Sequence, residues 1–134
     1  MFVDANVLID IFGRDEVWYE WSLAKLQECS ASADLIINHI VYAELASAFV
    51  ASEELDKRLE SLKLEIIDLP KEAAFLAGKA FAQYRKNGGT KTNVLSDFFI
   101  GAHAQVMGVP ILTRDVRRYR SYFPDVPLVA PSVQ

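Results

Sequence analysis

Apolar residues follow two spacings along this chain. Short apolar-rich segments at 1–4, 35–37, 64–69, 109–113 and 127–130, of which 35–37 is a continuous apolar run, alternate with longer stretches in which apolar positions recur at helical intervals. The first spacing predicts strands buried on both faces, and the second predicts helices with a core-facing stripe. Strands alternating with helices predict a parallel sheet with right-handed crossovers, in an α/β three-layer sandwich of four to five strands. One domain over 1–134 is expected, without repeats or low-complexity segments.

The helical stretches differ from one another. A short helix after the first strand is stopped by Gly13. Residues 15–30 carry a stripe of Val17, Trp18, Trp21, Leu23, Ala24 and Leu26. Residues 39–52 are apolar nearly all round, which predicts a central helix. The segment 53–63 is charged and reads as exposed. Pro70 opens a long helix that ends at Asn87, Gly88 and Gly89, and the GGTKTN segment after it reads as a loop. Ser96 or Asp97 is expected to cap the next helix, which Gly108 ends, and Asp115 to cap a short basic turn.

Composition narrows the class. The chain has 51% hydrophobic and 24% charged residues, a net charge of -4 and a pI near 5.1. This is the profile of a globular domain, without the bulk positive charge that draws proteins to nucleic acid. A local basic wall remains possible: Arg114 and Arg117 flank Asp115 and are the expected contacts for RNA phosphates. Cys29 is the single cysteine, so no intrachain disulfide forms, and a small helix residue is its expected role. No secretory signal or apolar stretch of membrane-spanning length is apparent, and the expected location is the cytoplasm.

The chemistry lies in the acids. Asp4 ends the first strand, and Asp115 follows the fourth. Two such strand ends flank the switch point of a doubly wound sheet, where these folds bind ligands. Glu44 lies on the helix after the second strand, and Asp97 at the start of a later one. Each acid also has a structural reading: Asp97 and Asp115 as caps, Asp4 in an Asx turn, and Glu44 on an exposed helix edge. If they share a crevice, they repel: two charges 4 Å apart cost about 4 kcal/mol at an effective dielectric near 20. Only Arg114 lies within these motifs as a counter-charge. A hard divalent cation, Mg²⁺ with Mn²⁺ as substitute, is the natural partner for such oxygens. His39 and His103 stand in no metal-ligand spacing and read as structural, and Asp10 reads as solvent-facing.

VDANVLID, the acid of VYAEL, the SDFFIGAHA helix start and ILTRD occur in order along the whole chain. Together they resemble the PIN domain family, and more closely its VapC-type toxins of bacterial toxin–antitoxin pairs. The resemblance implies a metal-dependent endoribonuclease. It places Asp4, Glu44, Asp97 and Asp115 in the metal-binding catalytic quartet, with Asn6 and Thr113 orienting the ligands. It also implies products with 5′-phosphate and 3′-hydroxyl ends, a homodimer, and an antitoxin lying across the groove. The alternative is a non-catalytic receiver-like or RNA- or protein-binding α/β module. A receiver would need adjacent acids after the first strand and a lysine near the fifth, where this chain has Asp4-Ala5-Asn6 and PLVAPSV.

Overall fold

The computed structural model describes residues 1–91 and 94–132. Five strands form one parallel sheet: β1 (Phe2–Val3), β2 (Leu35–Asn38), β3 (Leu64–Ile67), β4 (Ile111–Leu112) and β5 (Leu128–Val129). Their order across the sheet is β3-β2-β1-β4-β5. Phe2 pairs with Ile36 on one side and Ile111 on the other, and Val3 pairs with Leu112. The chain therefore winds outward from β1 to β3, returns to the centre, and winds outward the other way. The switch point lies between β1 and β4, as the sequence predicts.

Seven helices flank this sheet among the described residues: α1 (Ala5–Phe12), α2 (Tyr19–Ser30), α3 (His39–Ala46), α4 (Ser52–Ser61), α5 (Lys71–Lys86), α6 (Leu95–Met107) and α7 (Arg117–Tyr122). Phe2, Val3, Ile37, Ile111 and Leu112 are fully buried, so the central strands are covered on both faces. That explains their unbroken apolar runs. α6 buries Phe98, Ile100, Gly101, Ala102, His103 and Ala104. Gly101 has a packing role, because a Cβ there would stand 2.3 Å from the Phe123 ring. Gly108 ends α6 in the left-handed region at φ 69°, where glycine carries no steric penalty. No helix is long and apolar enough to cross a membrane among the described residues.

Several sequence expectations need correction. The second helix begins at Tyr19 instead of residue 15. Asp15 Oδ1 accepts from the backbone N–H groups of Val17 and Trp18, and this turn leaves Val17 78% exposed. The helix expected at 39–52 stops at Ala46 and is not central. Only Val41 and Leu45 of α3 are buried, while Ala43, Ala46 and Ala48 are exposed and Val50 is 99% exposed. Its apolar pattern is thus a surface feature on one side. Neither Ser96 nor Asp97 caps α6: the cap position is Val94, without a side-chain bond, and both polar residues lie inside the first turn. Asp115 stands one residue before the cap position Val116, although its Oδ1 still accepts from the Arg117 N–H at 3.2 Å. The GGTKTN segment is described as far as Lys91, whose N–H donates to the Tyr84 hydroxyl, and Thr92 and Asn93 lie outside the described residues.

Candidate active site

The two central strands hold the site. Asp4 N–H donates to the Leu112 carbonyl at 2.9 Å, and Thr113 N–H donates to the Val129 carbonyl at 3.0 Å. These bonds extend the ladder by one step and bring Asp4 and Thr113 side by side at the carboxyl edge of the sheet. Asp4 is 4% exposed. Its Oδ2 accepts from the Tyr119 hydroxyl at 2.7 Å and the Thr113 hydroxyl at 2.9 Å. Asn6 Nδ2 lies 3.4 Å from the same oxygen and 3.3 Å from Thr113 Oγ1, and Asn6 Oδ1 accepts from the Arg114 N–H. α1, α7 and the exit of β4 are thus tied together through one carboxylate oxygen. Burial pushes the Asp4 carboxyl above its ordinary range, while the Tyr119 and Thr113 hydrogen bonds pull it back.

Two more acids face Asp4. Glu44 lies on the exposed side of α3, the helix-edge position its structural reading foresaw, and the Ser96 hydroxyl of α6 favours its charged form. Desolvation first, and then the Asp4 charge, raises its carboxyl. Asp97, in the first turn of α6, is raised to about 7. Burial is the largest cause, followed by the charges of Asp4 and Glu44; Arg118 opposes the rise and Asp115 adds a little to it. Asp115 behaves differently. It sits at the rim in a bidentate pair with Arg117, at 2.6 and 2.9 Å, which holds its carboxyl below the usual range. Asp4, Glu44 and Asp97 thus lie near enough for their charges to act on one another, and Asp115 at the rim acts on Asp97.

The donors are all hard oxygens that repel one another, which is the chemistry a hard divalent cation satisfies. Among the described residues, no three His, Cys, Asp or Glu side chains close into a metal cage. Asp4 and Asp97 are the residues that would hold such an ion, with Glu44 next to them. Asn6 and Thr113 contact Asp4 directly and so orient its carboxylate.

The PIN domain family model matches residues 1–124 of the 134 in the chain. The chain belongs to the PIN domain family. No curated protein matches its sequence. Solved structures do match its fold. VapBC2 from Rickettsia felis, bound to a DNA fragment from its promoter, is 22% identical with a TM-score of 0.70, and 98% of each chain is covered. DNA-bound VapBC from Salmonella typhimurium is 21% identical at a TM-score of 0.69, covering 96% of each chain. FitAcB from Neisseria gonorrhoeae is 20% identical at a TM-score of 0.67, covering 99% of each chain.

In this PIN domain the two arginines expected to meet RNA both have partners within the chain. Arg117 pairs with Asp115. Arg114 Nε and Nη2 grip Asp10 Oδ2 and Oδ1 at 2.7 and 3.1 Å, and the guanidinium lies over the Trp18 ring. Asp10 is 1% exposed and also accepts from Ser22 Oγ, which corrects its expected solvent-facing position. The reason is geometric: α1 turns Asp10 toward α2 and the loop after β4, where an arginine and a serine await it. His103 is a satisfied helix histidine, as expected: it is buried, its Nδ1 meets Asn38 Nδ2 at 3.2 Å, and burial lowers its pKa. Cys29 is buried on α2, also as expected, and burial raises its thiol.

Tyr119 is the residue that sequence reasoning missed, and Arg118 is one that it ranked below Arg114 and Arg117. Tyr119 is 1% exposed and donates to Asp4 across 115 positions of chain. The two rings of the otherwise polar RRYRSY run, Tyr119 and Tyr122, were the available signal: a helix so charged turns its rings to the core, and packing decided that Tyr119 is the one fully buried. Arg118 lies within reach of both Asp97 and Asp115, and nothing in the run of four arginines distinguished it.

Proposed function

We propose that this PIN domain is a metal-dependent endoribonuclease, the VapC-type toxin of a toxin–antitoxin pair, and that it hydrolyses RNA phosphodiester bonds. The observation that carries this reading is the placement of the buried Asp4 at the switch point between β1 and β4, with Glu44 and Asp97 near enough for their charges to act on it and on each other. Evolved structures place mutually repelling acids in a crevice chiefly where a ligand offsets their cost. The family and the toxin–antitoxin complexes among its structural neighbours support the same reading.

Mg²⁺, or Mn²⁺ in its place, would be held by Asp4 and Asp97, with Glu44 beside them and Asp115 at the rim. When bound there, the ion supplies activation of water and stabilisation of the leaving oxygen. The chain's own residues prepare that site. Tyr119, Thr113 and Asn6 anchor one oxygen of Asp4, so this carboxylate keeps a single orientation. The Ser96 hydroxyl favours the charged form of Glu44. Glu44 would orient an attacking water.

The same reading assigns the chain to the cytoplasm and to a homodimer held by a cognate antitoxin. Apolar residues left in water, Val17 at 78%, Phe75 at 69% and Val50 at 99%, supply surface that such partners would cover.

Cleavage of total RNA by antitoxin-free protein tests this proposal, with Mg²⁺, Mn²⁺ or EDTA, beside Asp4→Asn and Asp97→Asn. Cutting at defined sites that EDTA abolishes and both folded variants lose is the expected result. Cutting that survives both substitutions would assign the activity elsewhere. A folded protein that neither cuts RNA nor binds Mn²⁺ would be a binding module instead.

A further inference from the structure

Four arginines follow β4, and the structure sorts them. Arg114 is committed to Asp10 and Arg117 to Asp115. Arg120 is exposed on α7. Arg118 alone of the four stands beside the acids without a carboxylate paired to it among the described residues. Its charge acts on both Asp97 and Asp115, yet neither forms an ion pair with it. The guanidinium lies over the Tyr84 ring, with Cζ 5.6 Å from the centroid. Tyr84 is itself held by the Lys91 N–H and packs edge-on against Tyr122. Arg118 Nε is buried, and it is the one buried side-chain polar atom without a hydrogen-bond partner among the described residues.

A buried, unsatisfied guanidinium N–H is destabilising, and native structures keep such groups chiefly where a ligand completes them. The arrangement is an aromatic plate, a charged planar donor laid on it, and a crevice of acids alongside. An acid crevice repels the phosphate it must cut, so a fixed cation at its wall has a clear physical use. Arg suits this role because its planar fork matches phosphate oxygens and stacks on aromatic rings.

We propose that Arg118 is the residue that grips the RNA phosphate at this crevice, presenting its guanidinium from the Tyr84 ring to a non-bridging oxygen of the phosphodiester beside the acids. This rests on the ribonuclease reading, and it replaces the expectation that Arg114 and Arg117 do this work. The bound phosphate would complete the hydrogen bonding of the guanidinium that the chain leaves open.

The test is fluorescence anisotropy of a labelled, randomised single-stranded RNA against salt concentration, in Ca²⁺ to limit cutting. It compares wild type with Arg118→Gln, Arg118→Lys, Arg117→Gln and Lys79→Gln. Lys79 lies over the Phe75 ring on α5 and controls for loss of one surface charge. Arg118→Gln should weaken binding about tenfold and flatten the log–log salt slope by about 0.7, the share of one phosphate contact on a single strand. Arg118→Lys should retain the slope, and Arg117→Gln and Lys79→Gln should change both quantities less than Arg118→Gln. A wild-type slope in folded Arg118→Gln would overturn the proposal while leaving chelator-sensitive cleavage, and so the ribonuclease reading, intact. Loss of the slope in Arg118→Lys would also overturn it, since the effect would then come from altered packing. If wild type neither bound nor cleaved RNA, the ribonuclease reading would fall and this one with it.

Discussion

Asp97 illustrates how position sets the chemistry of a side chain. Unfolded, its carboxyl titrates near 3.8, and in the folded, metal-free protein near 7. A folded pKa raised above the unfolded value means that the folded state binds the proton more tightly. Stability from this group is therefore complete below about pH 4 and is lost as pH rises through 7. Asp97→Asn removes the charge. In EDTA at pH 8 it should be more stable than wild type by about 2–4 kcal/mol, discounted for partial exposure, and the gap should close toward pH 4. Urea melts across this range would show it. Saturating Mn²⁺ should reverse the order, because only wild type keeps the full ligand set, and an unchanged order would count against a cation at Asp97. Tyr119 is the second residue-scale case. Tyr119→Phe leaves the ring in place and removes the shortest donor to Asp4, which should cost about 1–2 kcal/mol of stability. It should also weaken Mn²⁺ binding, measured by isothermal titration calorimetry, because the charged form of Asp4 loses support.

At the scale of elements, one ion pair organises the segment that delivers Thr113, Asp115, Arg118 and Tyr119. Asp10 on α1 and Arg114 after β4 form a bidentate bridge, and Ser22 on α2 adds a third contact. Removing one partner leaves a buried charge unpaired, which is far worse than lacking the pair altogether. Arg114→Ala, which leaves the buried Asp10 carboxylate unpaired, should destabilise the protein by about 2–4 kcal/mol in chemical denaturation and should lower metal affinity through the misplaced loop. A neutral result would mean that the loop is held by its own hydrogen bonds alone. α3 has a comparable anchor at its start. Asn38 Oδ1 accepts from the N–H groups of Ile40 and Val41, and its Nδ2 meets His103 on α6. This single buried amide fixes the helix that carries Glu44 against the helix that carries Asp97.

For the whole molecule, the exposed apolar residues are the outstanding feature. Val50 at 99% and Val17 at 78% exposure border helices whose other faces are well packed. Association into a dimer at micromolar concentration, read by light scattering, is the expected outcome, and Val50→Asp should shift it toward monomer without lowering Tm by more than a few degrees. A monomer at all concentrations would argue that an antitoxin alone covers this surface.

The strand–helix alternation was legible because the central strands β1, β2 and β4, buried on both faces, require apolar runs, while β3 and β5 at the sheet edges are apolar-rich but partly exposed. Five short runs specified a parallel sheet, and chain order alone placed Asp4 and the residues after β4 at the switch point. Local chemistry near Pro70, Asn87 and Gly108 marked helix ends correctly, because caps and stops act over a few residues. The extent of α3 was not legible. An all-round apolar pattern reads the same whether the second face meets the core or a surface, and only packing distinguishes them. The buried position of Asp10, the partners of Arg114 and Arg117, and the hydroxyl of Tyr119 on Asp4 were hidden for the same reason. The Asp10–Arg114 and Asp4–Tyr119 contacts join residues 104 and 115 positions apart, and side-chain pairing at that separation leaves no periodic trace, whereas Arg117 pairs locally with Asp115. The sequence by itself determined the order of elements and which acids lie near the sheet edge. The tertiary structure decided which of those acids crowd together, which arginines are already paired, and which cation remains for a ligand, because burial and charge compensation are properties of neighbours in space.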